Sequence, residues 1–246
     1  IQGKRIISAS PDGKVKAHLI DSGKEIWAAD IRDFFEEQDF SGGLSRNLDI
    51  LTGGVEADSR FVFVCSASGY LFALNQIDGS FGWKASISSE SLAPPKVDND
   101  LVVVQTIDGK VAGYGASDGS KRWEYAAKIP PLTLRGTSTP MIYDDIVIAG
   151  FSNGRIAFIT RDDGLAAFEQ IVGVPEGVSD LEKLVDLDGE MVIENNVLYL
   201  TGYQGKLIAI DLRAGEILWE KEASSLAGVS FGFGNVYLIS VDGKVI

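Results

Sequence analysis

The chain has 246 residues, 45% of them hydrophobic, and its 22 Lys and Arg face 35 Asp and Glu, giving a net charge of −13 and a pI near 4.5. A field of that sign repels phosphate backbones and anionic lipid surfaces, so nucleic acid is excluded as a partner. A single cysteine, Cys65, excludes an internal disulfide framework, and no stretch approaches the roughly 18 apolar residues of a helical membrane span.

The first element is the β-rich run RIISAS from Arg5, which meets Gly13 and turns into VKAHLI, then DSGK and a closing Trp27. The same order recurs five more times. FVFVCSA leads through Gly69 to YLFALN, IDGS and Trp83, and LVVVQTI through Gly109 to KVAGYG, SDGS and Trp123. IVIAGFS leads through Gly154 to RIAFIT, DDGL and Phe168, and VLYLTGY through Gly205 to KLIAID, RAGE and Trp219. VYLISV then reaches Gly243, where the sixth copy stops. Each run is rich in β-branched and aromatic residues, and each first glycine supplies the positive φ of a tight hairpin. All four tryptophans fall in the closing aromatic slot, which is expected to pack between neighbouring units.

Spacing separates the constant parts of the unit from the variable ones. The two glycines stand ten residues apart and the aromatic four residues later, whereas the segments from the aromatic to the next run hold 32, 16, 21, 27 and 15 residues. The shortest of these still has room for one more strand, as in LAPPKVDN and LAGVSFGF. Four antiparallel strands at this period predict an all-β fold, a β-propeller of four-stranded blades with about four full blades and two partial ones. The chain opens at a second strand and closes just inside a third, so it is expected to be a single fragment, residues 1–246, of a larger ring.

The three long connectors, 31–50, 128–136 and 172–187, should decorate one face, where long loops on a rigid repeat carry binding. The longest holds Phe34, Phe35 and Phe40 among acids. They are either a loop folded over its own blade or the apolar anchors of a partner-binding flap.

Catalytic chemistry is hard to assemble here. His18 sits mid-strand without partners for a triad, and Cys65 lies in an apolar run, where a buried inert thiol is expected. DLDGE at 186–190 misses the calcium-loop pattern, because glycine follows the second aspartate directly. The residues point to no cofactor and no metal.

The glycine-led hairpin followed by G-x-x-x-W resembles the quinoprotein propeller repeat, which implies an alternative: a dehydrogenase holding pyrroloquinoline quinone and calcium. A closer resemblance covers nearly the whole chain. LTGGVEADSRFVFVCSASGYLFALNQIDGSFGWKASI, PPLTLRGTSTP and DLDGEMVIENNVLYLTGYQGKLIAIDLRAGEILWEKE are similar to the BamB family of outer-membrane assembly lipoproteins of Gram-negative bacteria. That resemblance implies a non-catalytic, eight-bladed propeller in the periplasm, held at the outer membrane by a lipidated N-terminal cysteine absent from this chain. Its implied partners are the POTRA domains of BamA and nascent outer-membrane proteins. The family's BamA-binding positions map onto Leu132, Leu134 and Arg135 in LTLRG and onto Asp186 and Asp188 in VDLDG. Arg135 either meets the partner or bridges to Asp186 or Asp188 within the chain.

Overall fold

Among the described residues six antiparallel sheets follow one another along the chain, each made only of strands adjacent in sequence. The computed structural model describes residues 4–35, 51–128, 138–173, 187, 191–202, 206–223, 225, 228–240 and 242–246. They fall into two compact units, 1–124 and 125–246.

In the first unit, β1 (Arg5–Ala9), β2 (Lys14–Leu19) and β3 (Glu25–Asp30) form a three-stranded sheet. A four-stranded sheet follows, made of β4 (Leu51–Ala57), β5 (Phe61–Ser66), β6 (Tyr70–Asn75) and β7 (Phe81–Ser86). Next come β8 (Lys96–Asp98), β9 (Leu101–Gln105), β10 (Lys110–Gly115) and β11 (Lys121–Ala126), and the division between the units falls inside β11. The second unit holds the sheet of β12 (Met141–Tyr143), β13 (Ile146–Gly150), β14 (Arg155–Thr160) and β15 (Ala166–Ile171), and that of β16 (Val192–Glu194), β17 (Val197–Leu200), β18 (Lys206–Asp211) and β19 (Glu216–Glu222). A hairpin of β20 (Val229–Gly232) and β21 (Asn235–Leu238) ends it, extended by a bridge between Ile239 and Val245. Four complete four-stranded meanders and two partial ones therefore stand where the repeat placed them.

The strand hidden in each connector pairs with the run that follows it. In three of these hairpins the turn is a polar pair with a left-handed first residue: Asn99 at φ 52°, Asp144 at 49° and Asn195 at 51°. Asn and Asp tolerate that region because their short polar side chains bond locally. The last hairpin puts Phe233 there at φ 50°, fully exposed.

Between sheets lie the apolar clusters. β5 and β9 are buried along almost their whole length, so both faces of each sheet are covered. Val15, Ala17 and Trp27 pack with Val62, Val64, Phe72 and Leu74 across the first two sheets, and Phe63, Leu71 and Trp83 pack with Val102, Val104 and Tyr114 across the next two. In the second unit Ile148, Ile156 and Phe158 pack with Leu198, Ile208 and Ile210.

Trp27 and Trp83 seal these layers, as their slot predicted, whereas Trp219 is 37% exposed. Trp27 Nε1 donates to the Gln76 carbonyl oxygen at 3.1 Å and Trp83 Nε1 to that of Ala116 at 3.1 Å, each on the next sheet. The indole lies flat under the second glycine of the following repeat. A Cβ at Gly79 would stand 2.5 Å from Trp27 Cε3, and one at Gly119 would stand 2.5 Å from Trp83 Cε3. Glycine is required there both for its φ, +73° and +69°, and for this approach. Opposite the aromatic stands a small or flat residue, as in the pairs Ala17 with Trp27, Ala73 with Trp83, Phe158 with Phe168 and Ala209 with Trp219. A bulge follows each of these positions and adds local twist.

Candidate functional site

The connectors 128–136 and 172–187 both leave strands of the sheets just described and both start at one turn. Asn153 Nδ2 donates to the Lys128 carbonyl oxygen at 2.8 Å, where the first connector begins. The neighbouring Gly154 carbonyl oxygen accepts from Val172 N at 2.8 Å and from Gly173 N at 3.1 Å, where the second begins.

They also end at one point. Ser138, fully buried, donates its hydroxyl to the Gly150 carbonyl oxygen at 3.0 Å and accepts from Gly150 N at 2.9 Å. Leu187 is buried in the cluster of Ile148, Phe158 and Leu200, and its main chain runs over the same glycine. A Cβ at Gly150 would stand 2.9 Å from the Leu187 carbonyl oxygen, 3.0 Å from Leu187 Cβ and 3.2 Å from Ser138 Oγ.

Leu132, Leu134, Arg135, Asp186 and Asp188 themselves lie outside the described residues. The described residues nearest to them are Ser138 and Leu187. Arg135 precedes Ser138 by three residues in the sequence. Asp186 and Asp188 flank Leu187 directly. Ser138 and Leu187, the described residues next to the two expected patches in the sequence, thus both touch a single glycine.

Neither Ser138, Leu187 nor Gly150 stood out in the sequence as part of a site. The usable signal was Gly150 itself, an isolated glycine inside the strand pattern IVIAG, at the slot that Ala9, Cys65, Gln105 and Thr201 fill in the other repeats. Such a glycine marks a close backbone approach.

The 31–50 connector opens with a short 3₁₀ turn, Ile31–Phe34, capped by Asp30, whose Oδ1 accepts from Arg32 N at 3.1 Å. Phe34 meets Phe81 with ring centroids 5.3 Å apart, and Phe35 sits edge-on to Tyr70 and Phe72 at 5.4 and 5.2 Å. Both rings are half-buried, and they rest on the following sheet rather than on their own. Phe40 lies outside the described residues.

Cys65 is fully buried, and burial pushes its thiol up to about 12, partly opposed by a hydrogen bond with Ser91. It stays a thiol at neutral pH and is no nucleophile. His18 is half-buried on β2 opposite Ile6. Among the described residues no group of three or more His, Cys, Asp or Glu is placed to hold a metal ion, and no helix is long and apolar enough to cross a membrane.

Comparison with known proteins decides the family. The family model described as outer membrane protein assembly factor BamB matches residues 11–246. The chain belongs to the BamB family. It is 32% identical over 245 residues to BamB of Yersinia pestis, covering all of this chain and 61% of that protein. It is 34% identical over 236 residues to BamB of Vibrio cholerae, covering 96% and 58%. This chain therefore spans about six tenths of the length of these BamB relatives. Among solved structures, BamB from Moraxella catarrhalis superposes with a TM-score of 0.86 at 27% identity, over 99% of this chain and 69% of that one. A quinohemoprotein alcohol dehydrogenase from Pseudomonas putida superposes with a TM-score of 0.67 at 16% identity, a likeness of fold alone. The meanders are thus blades of a β-propeller of the BamB kind, four complete and two partial.

Proposed function

We propose that this chain is part of a non-catalytic scaffold subunit of the outer-membrane protein assembly machinery, acting on the periplasmic side of the outer membrane of a Gram-negative bacterium. Its direct partner is the set of periplasmic POTRA domains of BamA, and nascent outer-membrane proteins are served through that complex. The observation that supports this most is the shared anchoring of two connectors on Gly150. Ser138, two residues after LTLRG, and Leu187, within VDLDG, both contact Gly150. Leu132 and Leu134 supply apolar anchors, Arg135 a charge-assisted donor, and Asp186 and Asp188 acceptors. Two loops pinned to a common point present such a composite patch with little ordering cost. Phe34, Phe35 and Phe40 are further candidate anchors for a partner, the first two from a fixed base on the neighbouring sheet.

The test is co-purification and calorimetric titration of this chain with the POTRA domains of BamA. Saturable one-to-one binding is expected. Absence of binding overturns the reading, as does stoichiometric uptake of pyrroloquinoline quinone with calcium, which would move the chain to the quinoprotein enzymes.

A further inference from the structure

Beside the Asn153 turn the second unit holds a groove of about 470 Å³, lined by Tyr125, Ala126, Lys128, Phe151, Arg155 and Glu169 among others. That volume lies within the roughly 300–1,000 Å³ of ligand sites. Its apolar wall is a pair of rings, Tyr125 and Phe151, with centroids 6.0 Å apart. Its rim is charged. Glu169 accepts from the Tyr125 hydroxyl at 2.8 Å, and its other oxygen lies 3.5 Å from Arg155 Nη1.

The charges do not balance. Arg155 and Lys128 line the groove with one carboxylate, Glu169, so the lining carries one net positive charge on a chain whose total is −13. Glu169 already has both oxygens engaged, whereas Arg155 makes one stretched ion pair with its fork of five donors. Lys128 makes no ion pair among the described residues, its carbonyl being the atom fixed by Asn153. Asn153 also accepts from Arg155 N at 3.1 Å, so one side chain ties the main chain at both cationic residues. The groove therefore offers two cationic residues to a carboxylate, beside a wall of two rings.

We propose that this groove binds an extended peptide that lays an aromatic side chain on the Tyr125 and Phe151 rings and sets an adjacent Asp or Glu carboxylate on Arg155 and Lys128. The acidic surface elsewhere does not forbid it. At physiological salt, charges more than about 8 Å away are screened, so the local pair of cations decides. Guanidinium geometry suits a bidentate carboxylate, and the ring beside it suits an aromatic neighbour. The proposal rests on residues other than Leu132, Leu134, Arg135, Asp186 and Asp188 and goes beyond the reading given for them.

The probe is a fluorescein-labelled heptapeptide with one phenylalanine between two aspartates, titrated with the full chain and followed by anisotropy. Saturable binding is expected, weakened about tenfold by Arg155→Glu and by exchanging both aspartates of the peptide for asparagine. Glu169→Gln should tighten it about twofold to threefold, because it releases Arg155 and removes the opposing charge. Circular dichroism checks folding, and if Arg155→Glu does not fold, Lys128→Glu at an exposed position gives the same measurement. No saturable binding by the parent chain at millimolar concentration, equal binding of the asparagine peptide, or variants that bind as the parent does would each overturn the proposal. None of these outcomes bears on Arg135, whose test is separate.

Discussion

Ser138 and Gly150 hold each other through both main-chain polar groups of the glycine, at 3.0 and 2.9 Å, in a fully buried position. The serine hydroxyl meets both the N–H and the C=O at the end of β13. One side chain thus closes the sheet and ends a connector.

Replacing Ser138 by Ala removes that partner and leaves buried polar groups short of hydrogen bonds, at a cost of about 1–3 kcal/mol. Gly150→Ala acts differently. The new Cβ would stand 2.9 Å from the Leu187 carbonyl oxygen, backbone that must move for it to fit. Urea unfolding should show a loss of about 1–3 kcal/mol for Gly150→Ala as well. Weaker POTRA binding should accompany it, because the displaced segment carries Asp186 and Asp188. Unchanged stability for both variants would show that the contacts of Ser138 and Leu187 with Gly150 do not hold the connectors.

The glycines over the tryptophans give a sharper test. Gly79→Ala and Gly119→Ala each place a methyl group 2.5 Å from an indole carbon, at a φ that L residues rarely adopt. The left-handed conformation alone costs about 1–2 kcal/mol and overpacking about 1–3 kcal/mol more. Melting should shift downward in both, and tryptophan emission should move to the red as Trp27 or Trp83 meets water. An equal substitution at Gly23, whose Cβ would meet nothing within 4 Å, should cost only the backbone part.

Those glycines show why the blades were legible in the sequence. Turn glycine and closing aromatic are one contact seen from two repeats, so their spacing is a record of sheet-to-sheet packing. The connectors carry no such periodicity. Nothing in LTLRG or VDLDG states that Ser138 and Leu187 converge on Gly150, because that convergence depends on tertiary contacts between segments about 50 residues apart. Likewise the sequence placed Phe34 and Phe35 in a long connector, but only packing shows that they lie on the following sheet, against Phe81, Tyr70 and Phe72.

Phe233 offers room for improvement. It stands at φ 50° beside Gly234 at 76°, a turn with both residues left-handed, and its ring is fully exposed. The equivalent turn at Asn195 and Asn196 has φ values of 51° and 61° with residues suited to them. Phe233→Asn should therefore raise stability by roughly 0.5–1 kcal/mol, measured by chemical denaturation. A loss of stability would show that the ring has a partner the exposed geometry does not provide.

Acid should weaken the hairpin turns in a defined window. The Ser10 hydroxyl, and after it the Lys14 ammonium 2.9 Å away, lower the Asp12 carboxyl to about 2. Lys244 and Ser240 lower Asp242 in the same manner. A carboxylate with a depressed folded value contributes stability above its unfolded value, near 3.9, and loses it as pH falls through the folded one. The urea midpoint should stay level from about pH 7 to 5 and fall between about pH 4 and 2. Asp12→Asn should flatten part of that fall while leaving the neutral-pH midpoint slightly lower, and a fall of equal depth in the variant would show that other carboxylates govern acid unfolding.

Arg135→Glu separates the two roles open to that residue. As a desolvated contact with a BamA POTRA domain, its reversal should weaken binding by roughly 2 kcal/mol or more, since an opposing charge is left unpaired. The fold should be unaffected in that case, because Arg135 lies in a connector while Ser138 and Leu187 keep both segments anchored on Gly150. If Arg135 instead bridges to Asp186 or Asp188, the reversal sets like charges together between the two anchors. Stability and binding then fall together, and an Asp186→Arg or Asp188→Arg change made with Arg135→Glu restores both. Calorimetric titration against the POTRA domains, paired with a melting curve for each variant, reads the two quantities independently. Binding that is unchanged at physiological salt would move the interface away from this pair of connectors while leaving the family assignment in place.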